Sequence, residues 1–404
     1  MDKLPFVKPI NDNTNYRVDQ KELIYKAVEI TDNKLDALNY IATAILHETG
    51  KTAEFTLVIN VPANTVADIE LPIISDDELG YYVCWGDGDV EHNINIHNYK
   101  LNPIDKKYTI RFFGMGITGF GDNYNSYSKY LIKVLSFGQL GSCFTSLKYA
   151  FARHYNLISV PDYLPSTILD ISHMFRECTI FNQKLEWDTS NVTNMECMFL
   201  CCNDFNQNLE WNTSNVTNMN YMFDRCKKFD QALKWDTLKV TDMEGMFIAC
   251  HKFNQQLEWN TSNVTNMVDM FNRCTNFNQK LEWNTSNVTN MSYMFYACTN
   301  FNQKLEWDTS NVTNMKYMFY GCTNFNQNLN WNTSNVTNME SMFNNCRDFN
   351  QELNWDTSNV TNMMYMFYGC VNFNQKLNWD TSNVTDSCNI YKQCNILEEN
   401  KLKF

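Results

Sequence analysis

The sequence predicts a mainly β protein with short helical turns. A solenoid of about ten 24-residue coils is preceded by a small antiparallel β-sandwich and a short helical N-terminal segment. Three observations carry this. Met-Phe pairs, cysteines and tryptophans recur at one fixed interval over the C-terminal two thirds of the chain. Segments of alternating polarity separated by Gly, Asp and Asn turns precede them. Two amphipathic stretches, each with an Asp near its start, lie within the first fifty residues.

The repeat comes first because it fixes the register. Met-Phe pairs begin at 174 and return every 24 residues to 366, with Ile390-Tyr391 in the tenth place. Cys178 to Cys394 and Trp187 to Trp379 keep the same interval, with no insertion anywhere. One period then corresponds to one coil, and a coil can cover its apolar face only with its neighbours. In the coil that starts at Phe181, the residues Phe181, Leu185, Trp187, Val192, Met195, Met198, Phe199 and Cys202 should point inward and stack on their equivalents. The segments LEW and VTNM alternate as short strands do, and MFxxC has the spacing of one helical turn. With hydrogen-bonded coils roughly 4.8 Å apart, nine steps make a rod roughly 43 Å long.

The polar residues repeat as strictly. Asn182, Gln183, Thr189, Ser190, Asn191 and Thr193 can bond backbone at tight corners or bond the next copy along the stack. Asn-Val-Thr also matches a glycosylation acceptor, with corner-forming Asn as the simpler reading. The cysteine ladder has three readings: a reduced ladder of small hydrophobic residues, disulfides between neighbouring coils, or metal ligands. The last lacks a CxxC pair and a histidine partner.

The sandwich is read over 51–137, with strands at 54–61, 66–72, 80–85, 107–113 and 130–136. Residues 1–50 form an arm followed by helices in DQKELIYKAVEI and DNKLDALNYIATAILHE. The coils occupy 138–394, and a C-terminal tail follows at 395–404. The coil at 150–171 is degenerate, with His154 in the cysteine place, as a cap would be. DSCNIYKQC, with Ser387 where Met is expected, reads as the closing cap.

The formal net charge of -13 argues against general nucleic-acid binding, which rests on Lys and Arg contacts to phosphate. No apolar run approaches a membrane span and no secretory signal is visible, so no membrane insertion is expected. HETGKT at 47–52 ends like a phosphate-binding loop, but Ile45 stands where its first glycine belongs. Asp87 and Asp89 could ligate calcium, with a plain turn as the simpler reading. Glu186, Glu210, Glu258, Glu282 and Glu306 form a stripe relieved by Lys184, Lys280 and Lys304, read as a solvated mixed-charge face with a cation-binding stripe as the alternative. No catalytic constellation emerges from the six scattered histidines. The chain is therefore expected to be no enzyme, with no cofactor and no metal.

WDTSNVTNMKYMFYGC, Trp307 to Cys322, resembles the repeat of the BspA-like leucine-rich-repeat surface proteins of bacteria and protists; similar repeats are encoded by giant DNA viruses. The resemblance covers 138–394 and implies a leucine-rich-repeat-like solenoid. Residues 81–114 resemble the β-sandwich of the polycystic-kidney-disease type through Trp85-Gly86-Asp87-Gly88, His97-Asn98-Tyr99 and Tyr108-Thr109-Ile110. Together these imply a non-enzymatic interaction or adhesion protein at a cell or particle surface. The alternative is a structural component of a virion or capsid, assembled into a larger particle.

The expected partner is a protein or surface glycan, met where the repeated text varies. Tyr221, Tyr293, Tyr317 and Tyr365 occupy one such place, between the two Met of NMxxMF. Tyr296, Tyr320 and Tyr368 occupy another, just after Phe. Tyrosine offers large contact area and a hydrogen-bonding tip at low entropic cost; the simpler reading is drift at tolerant surface positions, with Tyr covering the turn.

Overall fold

The computed structural model describes residues 55–75, 81–113, 117–121, 129–138 and 144–403. The chain divides into two compact units, Met1–Ala53 and Glu54–Phe404. The arm, the two helices and HETGKT lie outside the described residues. The described chain is mainly β, with tandem repeats; among its residues the one helical element is a 3-10 turn at Glu398–Asn400.

Nine short strands precede the repeats: β1 (Phe55–Val61), β2 (Ala67–Glu70), β3 (Ile73–Ser75), β4 (Tyr82–Cys84), β5 (Val90–His92), β6 (Ile96–Tyr99), β7 (Lys106–Phe113), β8 (Ile117–Phe120) and β9 (Leu131–Phe137). An antiparallel sheet of order β5-β4-β7-β1-β9 is joined by the pairs β2-β6 and β3-β8. Strand β1 sits between β7 and β9, and its alternation buries Phe55, Leu57, Ile59 and Val61. Phe120 of β8 lies over that face, with its ring 4.7 Å from Phe55 and 5.2 Å from Phe112. Tyr99 of β6 donates its hydroxyl to the Trp85 carbonyl at 2.6 Å. The sheet runs directly into the repeats. Lys133 in β9 bridges Ser159 in parallel, and Phe137 packs edge-on against Trp187 at 6.2 Å.

From residue 144 the chain is a stack of 24-residue coils. All eight expected core residues of the coil at 181–202 are buried, and so are their equivalents along the ladder to Cys370. Neighbouring coils meet through one parallel bridge each, from Asp170–Asn194 to Asn362–Asp386. VTNM therefore contributes a single paired position, and LEW forms no strand. Its backbone ladder is replaced by a side-chain one: each Trp indole N–H from Trp211 to Trp379 donates to the Leu carbonyl of the preceding coil, as Trp283 does to Leu257 at 3.1 Å, and Trp187 donates to the Pro161 carbonyl at 2.9 Å.

MFxxC is also not a helical turn. Met198 N–H bonds the Met195 carbonyl, Leu200 that of Cys197 and Cys202 that of Phe199, while Cys197, Phe199 and Cys201 donate across to the next coil. The third residues of the first and last turns, Cys197 and Cys201, have φ of 53° and 62°. Positive φ at that position is the mark of a type II turn. These two left-handed places recur in most coils, one before Met and one before Cys. Between residues 144 and 403 glycine occurs only at Gly245, Gly321 and Gly369, and each fills one of them.

The polar ladders do both things expected of them. Asn182 Oδ1 accepts the Asn206 N–H at 2.9 Å and Gln207 Nε2 at 3.1 Å, one coil on. Thr189 Oγ1 donates to the Asn212 carbonyl at 2.9 Å, and Asp188 caps the Ser190 N–H at 3.0 Å. The amide of Asn191, first residue of an Asn-Val-Thr triplet, donates back to the Ser166 carbonyl at 2.8 Å, so that Asn builds a corner.

Candidate functional site

The varied positions lie on one face, and the spacing of the coils there differs from that elsewhere. Successive Trp rings are 5.8–6.4 Å apart. Successive rings of the Met-Phe column, from Phe175 to Phe367, are 5.6–5.7 Å apart. Tyr293 and Tyr317 are 4.8 Å apart, and Tyr296 and Tyr320 are 4.6 Å apart. A stack whose steps shorten toward one side curves toward it, so the tyrosines line the inner, concave side. Short steps there follow from the backbone hydrogen bonds between coils, such as Tyr293 N–H to the Lys316 carbonyl at 3.0 Å.

All seven tyrosines are half-buried rather than fully exposed. Tyr221, Tyr293, Tyr317 and Tyr365 occupy the left-handed place before Met, which aims each ring across the neighbouring coil. Tyr293, Tyr296, Tyr317 and Tyr320 come together as one stacked patch, with Lys316 Nζ 5.5 Å from the Tyr293 ring centre and Arg273 5.9 Å from that of Tyr296. Tyr317 donates its hydroxyl to Glu340 at 2.8 Å; burial first and then that carboxylate push its pKa up to about 12. Tyr365 and Tyr368 form a separate T-shaped pair at 5.9 Å. Tyr221 stands apart from both groups, lying over Gly245 and donating to Glu244.

Polar atoms on the same face are left over. Ser172 Oγ, His173 Nδ1, Asn220 Oδ1, Asp224 Oδ1 and Asn272 Oδ1 are buried without a hydrogen-bond partner. Burial raises the Asp224 carboxyl to about 6, against the opposing pull of Arg225 and Arg176. No strict ladder runs through these places, so the repetition of the sequence does not point to them.

The cysteine ladder is not part of the site. Cys178 to Cys370 are buried free thiols, and each donates to a Phe carbonyl, as Cys202 does to Phe175 at 2.9 Å. Burial holds these thiols far above their ordinary pKa. The histidine that the ladder lacks stands instead beside Cys197, off the ladder: His173, Glu196 and Cys197 bring one ligand atom each within 4.8 Å of one another. The sequence holds a signal for this, since 173 and 197 are one period apart and therefore adjacent.

Asp87, Asp89 and His97 form a second such group. There the Asp87 carboxylate accepts the His97 ring N–H at 2.8 Å and the Asp89 backbone N–H at 3.2 Å. Burial opposes ionisation of Asp87, but these two donors together hold its pKa below the ordinary value. The group is satisfied internally, as a turn would be. In the glutamate stripe Lys184, Lys280 and Lys304 pair with Glu186, Glu282 and Glu306 on an exposed face.

No helix among the described residues is long and apolar enough to cross a membrane. No curated protein and no solved structure matches the chain. One family does, described as "Mycoplasma protein of unknown function, DUF285", over residues 145–234, 231–329 and 305–404, three successive stretches of the repeat. The match is consistent with the BspA-like resemblance of the repeats. Covering well over half of the chain through its repeats, it makes the protein a member of that family.

Proposed function

We propose that the stack is a leucine-rich-repeat-like solenoid that recognises a protein or surface glycan on its concave, tyrosine-bearing face, without catalysing a reaction. The observation that carries this reading is the coincidence of three properties on one side of the coil. Residue type varies from coil to coil there, aromatic rings are half-exposed, and buried polar atoms lack partners. Unmet buried polar groups are costly in a free protein and call for an explanation; a bound partner supplies it. The strands before the repeats, read as a polycystic-kidney-disease-type sandwich, would act as a spacer for display at a cell or particle surface.

The test is binding of the full chain to a defined panel of glycans and immobilised cell-surface proteins, alongside Tyr293→Ser/Tyr317→Ser/Tyr365→Ser. Serine is tolerated at this place, since Ser341 occupies it with φ 53°. Loss of a wild-type interaction in the triple variant supports the reading. Retention of every interaction refutes it.

The competing reading, a structural part of a virion or other particle, draws support from the reduced cysteine ladder, which suits assembly inside a cell. Fractionation of the source material separates the two, by recovery with particles or with cell surfaces. Recovery only as a free cytosolic monomer counts against both.

A further inference from the structure

We infer that His173, Glu196 and Cys197 form a binding site for a zinc-like divalent transition metal on the concave face of the first coils. His173 and Cys197 occupy the same left-handed place in adjacent coils, with φ of 57° and 53°. The His173 backbone N–H donates to the Glu196 carbonyl at 2.7 Å, which locks the two segments side by side. The His173 ring is fixed by stacking on Tyr149 at 4.3 Å. Its Nε2 is 3.9 Å from the Glu196 carboxylate, and the Cys197 thiol completes a group within 4.8 Å.

In a tetrahedral zinc site the ligand atoms lie roughly 3.5 Å apart, given metal–ligand bonds of about 2.0–2.3 Å. The three residues need to close only slightly, and the Glu196 side chain, at 38% exposure, has room to do so. A water or a partner group would take the fourth position.

His173 is buried, with Nδ1 lacking any hydrogen-bond partner. A metal bound here would displace the Cys197 thiol proton. Thiolate, imidazole and carboxylate together select zinc or cobalt over magnesium or calcium. Glu196 also accepts from Asn218 Nδ2 at 3.4 Å, an outer contact that would orient a ligating carboxylate. The inference does not depend on the partner-recognition reading.

Titration of the reduced, metal-free full chain with Co²⁺ tests it. The expected result is one equivalent bound, with a thiolate-to-cobalt charge-transfer band and the intense visible bands of four-coordinate cobalt. Zn²⁺ should displace it, with about one proton released per ion. Cys197→Ser should abolish the charge-transfer band, and His173→Gln should weaken binding at least ~10-fold. Cys201→Ser and Cys388→Ser should change neither. Absence of the band in the wild type, its survival in Cys197→Ser or its loss in Cys388→Ser overturns the site. Should Cys197→Ser not fold, unchanged affinity in folded His173→Gln overturns it equally.

Discussion

The left-handed places of the coil make a quantitative prediction at two glycines. At Gly321 (φ +70°) an added Cβ would meet nothing nearer than 3.6 Å, the Cα of Ala297. Gly321→Ala therefore bears only the conformational cost of a left-handed L residue, about 1 kcal/mol. At Gly245 (φ +60°) the same Cβ would fall on the Tyr221 ring and within 2.9 Å of Ile248 Cδ1. Tyr221 must then swing away and give up its bond to the Glu244 carboxylate, adding about 2 kcal/mol for a charge-assisted hydrogen bond. Gly245→Ala should thus cost about 3 kcal/mol. In a Tyr221→Ser background the ring is gone, and the cost should fall to about 1 kcal/mol, a coupling of about 2 kcal/mol across the cycle. Urea denaturation followed by circular dichroism measures each corner, provided m is unchanged. Equal costs at the two glycines, or no coupling to Tyr221, would show that the rings do not lie where the backbone aims them.

Trp283→Phe should cost about 2–3 kcal/mol. It removes the bond to the Leu257 carbonyl and weakens stacking on Trp259 and Trp307 at 6.4 and 6.3 Å, and equilibrium melts would read it. Asp224 binds its proton more tightly folded, near pH 6, than unfolded, near 3.8, so the folded state holds more protons in that window. Its contribution to stability is present below the window and lost as pH rises through it, by at most roughly 3 kcal/mol. Asp224→Asn should flatten the slope between pH 4 and 6, seen as urea midpoints that no longer fall with pH. The buried ladder thiols Cys178 to Cys370 should resist a thiol reagent in the native protein while exposed Cys388 reacts. All fifteen cysteines should react on denaturation, and fewer than ten would sink the reduced ladder.

The core was legible because identity at a fixed period leaves a buried residue only its own copies to touch. Phe181, Trp187, Met198 and Cys202 were placed by spacing alone and are all buried. The longer strands β1, β7 and β9 were found within a residue of their ends, through alternation over seven or eight positions. The short β3, β5, β6 and β8, of three or four residues, were not, since alternation over so few positions is indistinguishable from a loop. LEW and MFxxC were misread for another reason. Their spacing fits a strand and a helical turn, but indole and thiol hydrogen bonds, together with left-handed residues, replace the backbone pattern those elements need. The three glycines confined to left-handed places were the available clue. The tyrosines were visible as variation; their mutual stacking was not, because it depends on the inward curve. The metal-ligating group needed the period applied to residues outside the repeat's own wording.

Asn182 and its successors pass hydrogen bonds in one direction only, each oxygen awaiting donors from the coil that follows. At the far end Asn374 Oδ1 receives the Leu397 N–H at 2.8 Å and Asn400 Nδ2 at 3.0 Å, an imitation of the missing Asn and Gln. Thr381 likewise donates to the Lys403 carbonyl at 2.7 Å. Copy number is therefore decoupled from chemistry. A duplication or deletion of 24 residues in the gene would hand the same acceptors to the same donors and leave both ends as they were. A lineage could lengthen or shorten the inner surface in whole units, then edit one coil at a time without re-solving the fold.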